Sequence, residues 1–130
     1  VWFGCDVGKY SVKEGGAMDM DVFRLEELLD VEFGMNKAER LEYGESLMTH
    51  AMVFLGVNLD EEGRPNRWRV ENSWGEKAGE KGYYVMSDRW FDEFMYQIVV
   101  NRKYLPEEYL KEYESEPIML EPWDPMGSLA

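Results

Sequence analysis

Cysteine and histidine are nearly absent from this sequence: Cys5 and His50 are the only residues of their kinds among 130. A lone cysteine cannot form an intramolecular disulfide bond, so the chain is not a small secreted domain held together by disulfides. One histidine and one cysteine also cannot supply the four ligands of a structural zinc site. We therefore expect no metal and no cofactor, and a reducing cytoplasmic location.

Basic residues are scarce too, with 14 lysines and arginines against 27 acids and a net charge of -13. Such a charge repels phosphate backbones and anionic lipid headgroups, and there is no long apolar run that could cross a bilayer. We expect neither a nucleic acid nor a membrane partner. The 45% of hydrophobic residues is enough to build one packed core.

The chain opens with Val1 rather than methionine and runs at once into the apolar stretch 1–5. Such an opening is typical of a sequence cut from something longer. We therefore expect a piece of a larger polypeptide, whose first residues form a buried strand.

Apolar alternation and turn residues predict a β-rich chain with short helices. Strands are predicted over 1–5, 49–59, 67–71, 82–86 and 96–101, and the second and third of these read as a hairpin. Short helices are predicted over 37–41, from Ser87 or Asp88 to Met95, and over 106–114, with a weaker helical or surface segment over 18–29. Prolines at 117, 122 and 125 predict an extended tail.

Two polar residues stand where the predicted hairpin could bring them together. His50 lies at the start of one strand, and Asn72 follows 22 positions later at the end of the other. An asparagine carbonyl that accepts from one imidazole nitrogen would leave the other nitrogen free to exchange a proton with a thiol. By itself, however, a single histidine beside a strand is more often a packed, hydrogen-bonded residue.

The sequence motifs around this pair resemble those of a known protein family. Asn72-Ser73-Trp74-Gly75, followed by glycines and Tyr83, resembles the asparagine segment of papain-like cysteine peptidases, and His50-Ala51 resembles their histidine segment. Several longer segments are similar to the C-terminal portion of one branch, the bleomycin hydrolase and aminopeptidase C family. They are VWFGCDVGK at 1–9, NKAER at 36–40, GESLMTHAM at 44–52, WRVENSWG at 68–75 and WDPMG at 123–127.

The resemblance implies a fold and a set of roles. The fold would be the β-rich half of a papain-like α+β domain over 1–116, with an extended arm over 117–130 that reaches the active-site cleft. His50 would be the catalytic base and then acid, Asn72 would orient it, and Trp74 would cover their hydrogen bond. The carboxylate of Ala130 would anchor the free amino group of a peptide substrate, and the intact enzyme would be a homohexameric cysteine aminopeptidase.

The nucleophile of such an enzyme is not found in this sequence. Papain-like peptidases carry it upstream in a segment similar to Cys-Gly-Ser-Cys-Trp, which nothing here matches. Cys5 lies in a buried-strand pattern, 45 positions before His50, without a helix dipole to lower its pKa. We expect Cys5 to be a core residue, a missing N-terminal half to supply the nucleophile, and the isolated chain to be inactive.

Two other functions remain open at this point. The chain could be a non-catalytic papain-like interaction or assembly module, although such a remnant need not keep both His50 and Asn72. It could also be half of an ordinary endopeptidase, against which the single cysteine and the ending through Ala130 argue.

Overall fold

A curled seven-stranded sheet organises the chain in the computed structural model, which describes residues 1–129. The strands are β1 (Trp2–Cys5), β2 (Ser11–Val12), β3 (Ala17–Met18), β4 (His50–Leu59), β5 (Pro65–Glu71), β6 (Tyr83–Ser87) and β7 (Met95–Val99). Their order is β2-β3-β6-β5-β4-β1-β7. Every neighbouring pair is antiparallel except β3 and β6, which run parallel.

Short helices surround this sheet. They are α1 (Leu25–Leu29), α2 (Lys37–Glu42), α3 (Asp88–Phe94) and α4 (Glu107–Tyr113), with two 3-10 turns at Arg102–Tyr104 and Pro125–Leu129. The predicted capping box before α2 is present: the Asn36 side chain accepts from the Glu39 backbone, and the Glu39 carboxylate accepts from the Asn36 backbone. Ser87 caps α3 as predicted. Each helix within residues 1–129 is too short or too polar to cross a lipid bilayer.

The predicted hairpin is confirmed as the pair β4–β5. Its turn is closed by the carboxylate of Asp60, which accepts from the backbone of Glu62 at 2.9 Å and from the backbone of Arg64 at 2.9 Å. The start of β4 and the end of β5 therefore lie at the same end of the hairpin, opposite the turn.

The core lies between the sheet and α3. Its largest fully buried side chains are Trp90, Tyr84, Phe3, Phe94, Met18, Met52 and Met86. Trp90 satisfies its buried indole N–H by donating to the carbonyl of Lys9 at 2.8 Å, so the helix is tied to the turn after β1.

Two expectations about local structure were wrong. The segment 18–29 was expected to be helical or loosely ordered from its start, but Met18 is a fully buried residue of β3 and the helix is confined to Leu25–Leu29. Pairing with β6 dominates there because it buries the thioether in the core. The tail was expected to be extended throughout, yet Pro125–Leu129 forms a 3-10 turn that packs against α2.

Gly79 provides a test of this packing. Its φ is +61°, and an added Cβ would lie 2.3 Å from the carbonyl oxygen of Tyr83 and 2.8 Å from the ring of Tyr84. We expect Gly79→Ala to lower the free energy of unfolding by about 3 kcal/mol. The backbone of Tyr83 must move to make room for the methyl group, and the alanine must adopt a strained left-handed conformation. Urea denaturation followed by tryptophan fluorescence measures the loss.

Gly63 is the matched control, since its φ is +80° and no atom lies within 4 Å of an added Cβ. Gly63→Ala should lower the free energy of unfolding by about 1 kcal/mol, because only the left-handed backbone conformation is unfavourable there. Equal losses in the two variants would show that the contact with Tyr83 is unimportant.

Candidate active site

His50 and Asn72 meet where the sequence places them, across the open end of the hairpin. His50 begins β4, Asn72 follows β5, and the His50 Nε2 atom lies 2.8 Å from the Asn72 Oδ1 atom. A carbonyl oxygen can only accept, so Nε2 carries the proton and Nδ1 keeps its lone pair. The arrangement therefore selects the tautomer in which Nδ1 can act as a base.

The orientation of the Asn72 amide is fixed by its surroundings. Its Oδ1 atom also accepts from the backbone N–H of Ser73 at 2.8 Å, and its own backbone N–H donates to Gly82 at 3.0 Å. Two N–H donors converge on this atom, so it must be the oxygen of the amide and not the nitrogen. Asn72 is 7% exposed, which keeps water from competing for these bonds.

Trp74 covers the histidine. The two rings lie 5.0 Å apart between centroids with an interplanar angle of 30°, and Tyr84 meets the indole edge-on at 6.2 Å. Lys13 places its Nζ atom 5.8 Å from the indole centroid. Trp74 remains 41% exposed, and its predicted shielding role stays a prediction.

A buried hydroxyl lies behind the pair and was not anticipated. Burial raises the pKa of Tyr84, and the adjacent Asn72 side chain opposes part of that rise. Within residues 1–129, neither the Tyr84 hydroxyl nor the Asn72 Nδ2 atom has a hydrogen-bond partner of normal geometry.

Cys5 is close to the histidine in the fold, but its thiol is buried. Strand pairing sets Cys5 opposite His50, so their separation in sequence does not keep them apart. Burial, with a smaller contribution from the Asp6 charge, raises the pKa of the Cys5 thiol to about 12. The side chain is fully buried, and within residues 1–129 no hydrogen bond joins it to His50. The expected core role of Cys5 is confirmed by its burial.

A polar cluster beside β1 also escaped the sequence analysis. Asp6 is 5% exposed, and its carboxylate accepts from the Ser46 hydroxyl at 2.8 Å. The Ser46 oxygen lies 2.5 Å from the hydroxyl of Tyr96, and burial raises the pKa of Tyr96. The one available signal was an acid that closes an apolar run, VWFGCD, which is an unusual place for an unpaired charge.

The tail approaches the rest of the fold near β7. The Gln97 side-chain amide donates to the backbone carbonyl of Leu129. The predicted anchor, Ala130, lies outside the described residues and stays a prediction. Among residues 1–129, no group of three or more histidine, cysteine or acidic side chains is arranged to hold a metal ion.

The sheet, its short helices and the paired histidine and asparagine define the class to which the chain belongs. It is a member of the Peptidase C1-like family, whose model matches residues 1–127. The fold is accordingly the C-terminal, β-rich part of a papain-like α+β domain.

Particular relatives narrow the match further. The chain is 58% identical over 130 residues to aminopeptidase C of Lactococcus lactis subsp. cremoris, covering all of this chain and 30% of that protein. It is 55% identical over 133 residues to human bleomycin hydrolase, covering all of this chain and 29% of that protein. The solved structure of PepW from Lactobacillus rhamnosis HN001 superposes with a TM-score of 0.88 at 54% identity, covering 97% of this chain and 29% of that one.

The chain thus spans about 30% of the length of the curated relatives it matches. It is similar to the C-terminal portion of aminopeptidase C and bleomycin hydrolase, as the resemblance of its motifs predicted.

Proposed function

We propose that this chain supplies the histidine and asparagine of a cysteine aminopeptidase, as the C-terminal part of a longer parent polypeptide whose other part carries the nucleophilic cysteine. The observation that carries the proposal is the 2.8 Å bond from His50 Nε2 to Asn72 Oδ1, stacked beneath Trp74. A non-catalytic assembly module would have no use for a histidine held in one tautomer by a buried amide.

The chemistry follows from that tautomer. His50 Nδ1 takes the proton of the nucleophilic thiol, and the thiolate attacks the carbonyl carbon of the substrate's first peptide bond. As the tetrahedral intermediate collapses, Nδ1 returns the proton to the leaving amine, and the C–N bond breaks. Water then attacks the thioester, again with Nδ1 as the base, to release the amino acid and regenerate the thiol. Throughout, Asn72 accepts from Nε2 and keeps the ring in place.

Selection for free N-termini is assigned to the tail. A terminal carboxylate in the cleft would pair with the ammonium group of a peptide, whereas a blocked peptide would leave that carboxylate desolvated and unpaired. Gln97 supports this role by holding the carbonyl of Leu129, one residue before the predicted anchor at Ala130.

Deleting Leu129 and Ala130 from the parent tests this selection. We expect kcat/KM for a free dipeptide amide to fall by roughly tenfold to a hundredfold, because the charge-assisted contact with the ammonium group is lost. Hydrolysis of the N-acetylated peptide should rise at the same time. Fluorogenic substrates with free and acetylated N-termini measure both rates.

Ala130→Ser is the matched control, because it changes the last side chain and retains the terminal carboxylate. It should preserve the preference for free N-termini. An unchanged preference after the deletion would rule out the anchor.

The proposal extends to the setting of the enzyme. The single free thiol of Cys5 supports a reducing cytoplasm, and the family resemblance supports assembly of the parent into a homohexamer. Its partners would then be the missing N-terminal half, further copies of itself and peptides with a free N-terminus.

A further inference from the structure

The segment that leads to the histidine has no regular secondary structure. Residues 46–49 connect the turn after α2 to the first residue of β4, and they form neither helix nor strand. Ser46 is nevertheless only 1% exposed. Something other than a backbone ladder must therefore fix this segment and, through it, the start of β4.

The carboxylate of Asp6 is the main contact that holds it. One oxygen accepts from the Ser46 hydroxyl at 2.8 Å and from the Leu47 backbone at 3.2 Å, and the other accepts from the Thr49 hydroxyl at 3.3 Å. Within residues 1–129, no cation forms a salt bridge with this buried acid. Among the described residues, the hydrogen bonds to this carboxylate all come from the segment 46–49.

Residues of β1 next to Asp6 also contact the segment 46–49. The Cys5 carbonyl accepts from the Thr49 backbone at 2.9 Å. Gly4 leaves room for Met48, since an added Cβ would lie 2.3 Å from the Met48 sulfur. Residues 4–6, which are the end of β1 and the residue after it, thus contact every residue of the segment 46–49 by packing or hydrogen bonds.

We infer that Asp6 is a positioning residue for His50: by binding the segment 46–49, its carboxylate sets the place and direction of the imidazole relative to Asn72 and the nucleophile. The inference rests on the proposed function, because it concerns the same site. Displacement of a catalytic group by about 1 Å can cost a hundredfold in rate. Loss of the acceptor would release three donors of the segment that ends at Thr49, the residue before His50.

Asp6→Asn is the direct test, because it preserves size but replaces one of the two accepting oxygens of the carboxylate with an amide nitrogen that only donates. In the full-length parent we expect kcat to fall by about a hundredfold with KM changed less than about twofold, since substrate contacts are untouched. Ser46→Ala removes a single donor and should lower kcat by about tenfold, which keeps the test available if the Asp6 variant does not fold.

Asp60→Asn is the matched control. Asp60 accepts three comparable hydrogen bonds, from Glu62 and Arg64, at the opposite end of the same strand. The Asp60→Asn variant should be less stable than the wild type but should have the same kcat. If Asp6→Asn and Ser46→Ala leave kcat at the Asp60→Asn level, the positioning role is overturned.

A second readout does not depend on activity. His50 is the only histidine, so nitrogen-15 labelling of histidine gives the two ring-nitrogen signals of a single imidazole in the 130-residue chain. The proton on Nε2 should give an NMR signal in the wild type and in Asp60→Asn. In Asp6→Asn and Ser46→Ala it should exchange with water too fast for the signal to be observed. Retention in all four contradicts the inference. A wild-type parent without thiol-dependent peptidase activity would instead refute the proposed function, and this signal would still decide the role of Asp6.

Discussion

Replacing His50 with alanine in the parent enzyme should reduce kcat by about ten-thousand-fold, while the midpoint of urea unfolding changes little. Under the proposed function, the imidazole takes the thiol proton and returns it to the leaving amine. Its ring is half-buried and contacts Asn72 and Trp74 instead of the core, so its removal leaves the hydrophobic cluster intact. Steady-state hydrolysis of an amino-acid amide measures the loss.

Asn72→Ala is the graded companion to that experiment. It keeps the base but frees the ring, so its loss of kcat should be smaller than that of His50→Ala. A normal rate in His50→Ala would remove the catalytic assignment altogether. Equal losses in both variants would mean that orientation is as necessary as the base itself.

The thiol of Cys5 should be almost inert in the native chain. Its pKa is raised from 9.0 to about 12, so the thiolate fraction near neutral pH falls by about a thousandfold. Alkylation by iodoacetamide should therefore be at least that much slower than in the urea-unfolded chain. Mass spectrometry of quenched samples measures both rates. In the parent, alkylation should abolish activity through the other cysteine, and Cys5→Ser should behave as the wild type does.

The same shift predicts a pH dependence of stability. The native state favours the protonated thiol, so its contribution is complete below pH 9 and is lost as the pH rises toward about 12. The loss is on the order of 4 kcal/mol, and Cys5→Ala should lack it. Fast alkylation of the folded chain would contradict the buried, protonated thiol. Aminopeptidase activity of the isolated chain that an alkylator removes would make Cys5 the nucleophile.

The features that the sequence predicted share a local origin. The hairpin joins neighbouring segments, and the capping box of α2 involves residues three positions apart. Alternation and capping chemistry report such contacts directly. The pairing of His50 with Asn72 followed from that hairpin, and their catalytic roles stay a prediction.

What the sequence did not predict depends on distant contacts. The strands β2 and β3 have two residues each, too few to show any periodicity, and β3 is ordered by its parallel partner β6. Asp6 and Ser46 are separated by 40 positions. No local pattern reports that an acid closing one strand will hold a loop so far along the chain.

The hairpin between β4 and β5 also affects the order in which the parts of this site form during folding. His50 and Asn72 are separated by 22 positions and are joined through a single antiparallel pair, a contact of low sequence separation that a folding chain closes early. The base and its orienting amide can thus be assembled before any long-range docking is complete. Under the proposed function, catalytic competence would then appear only when the nucleophile arrives, in one late step.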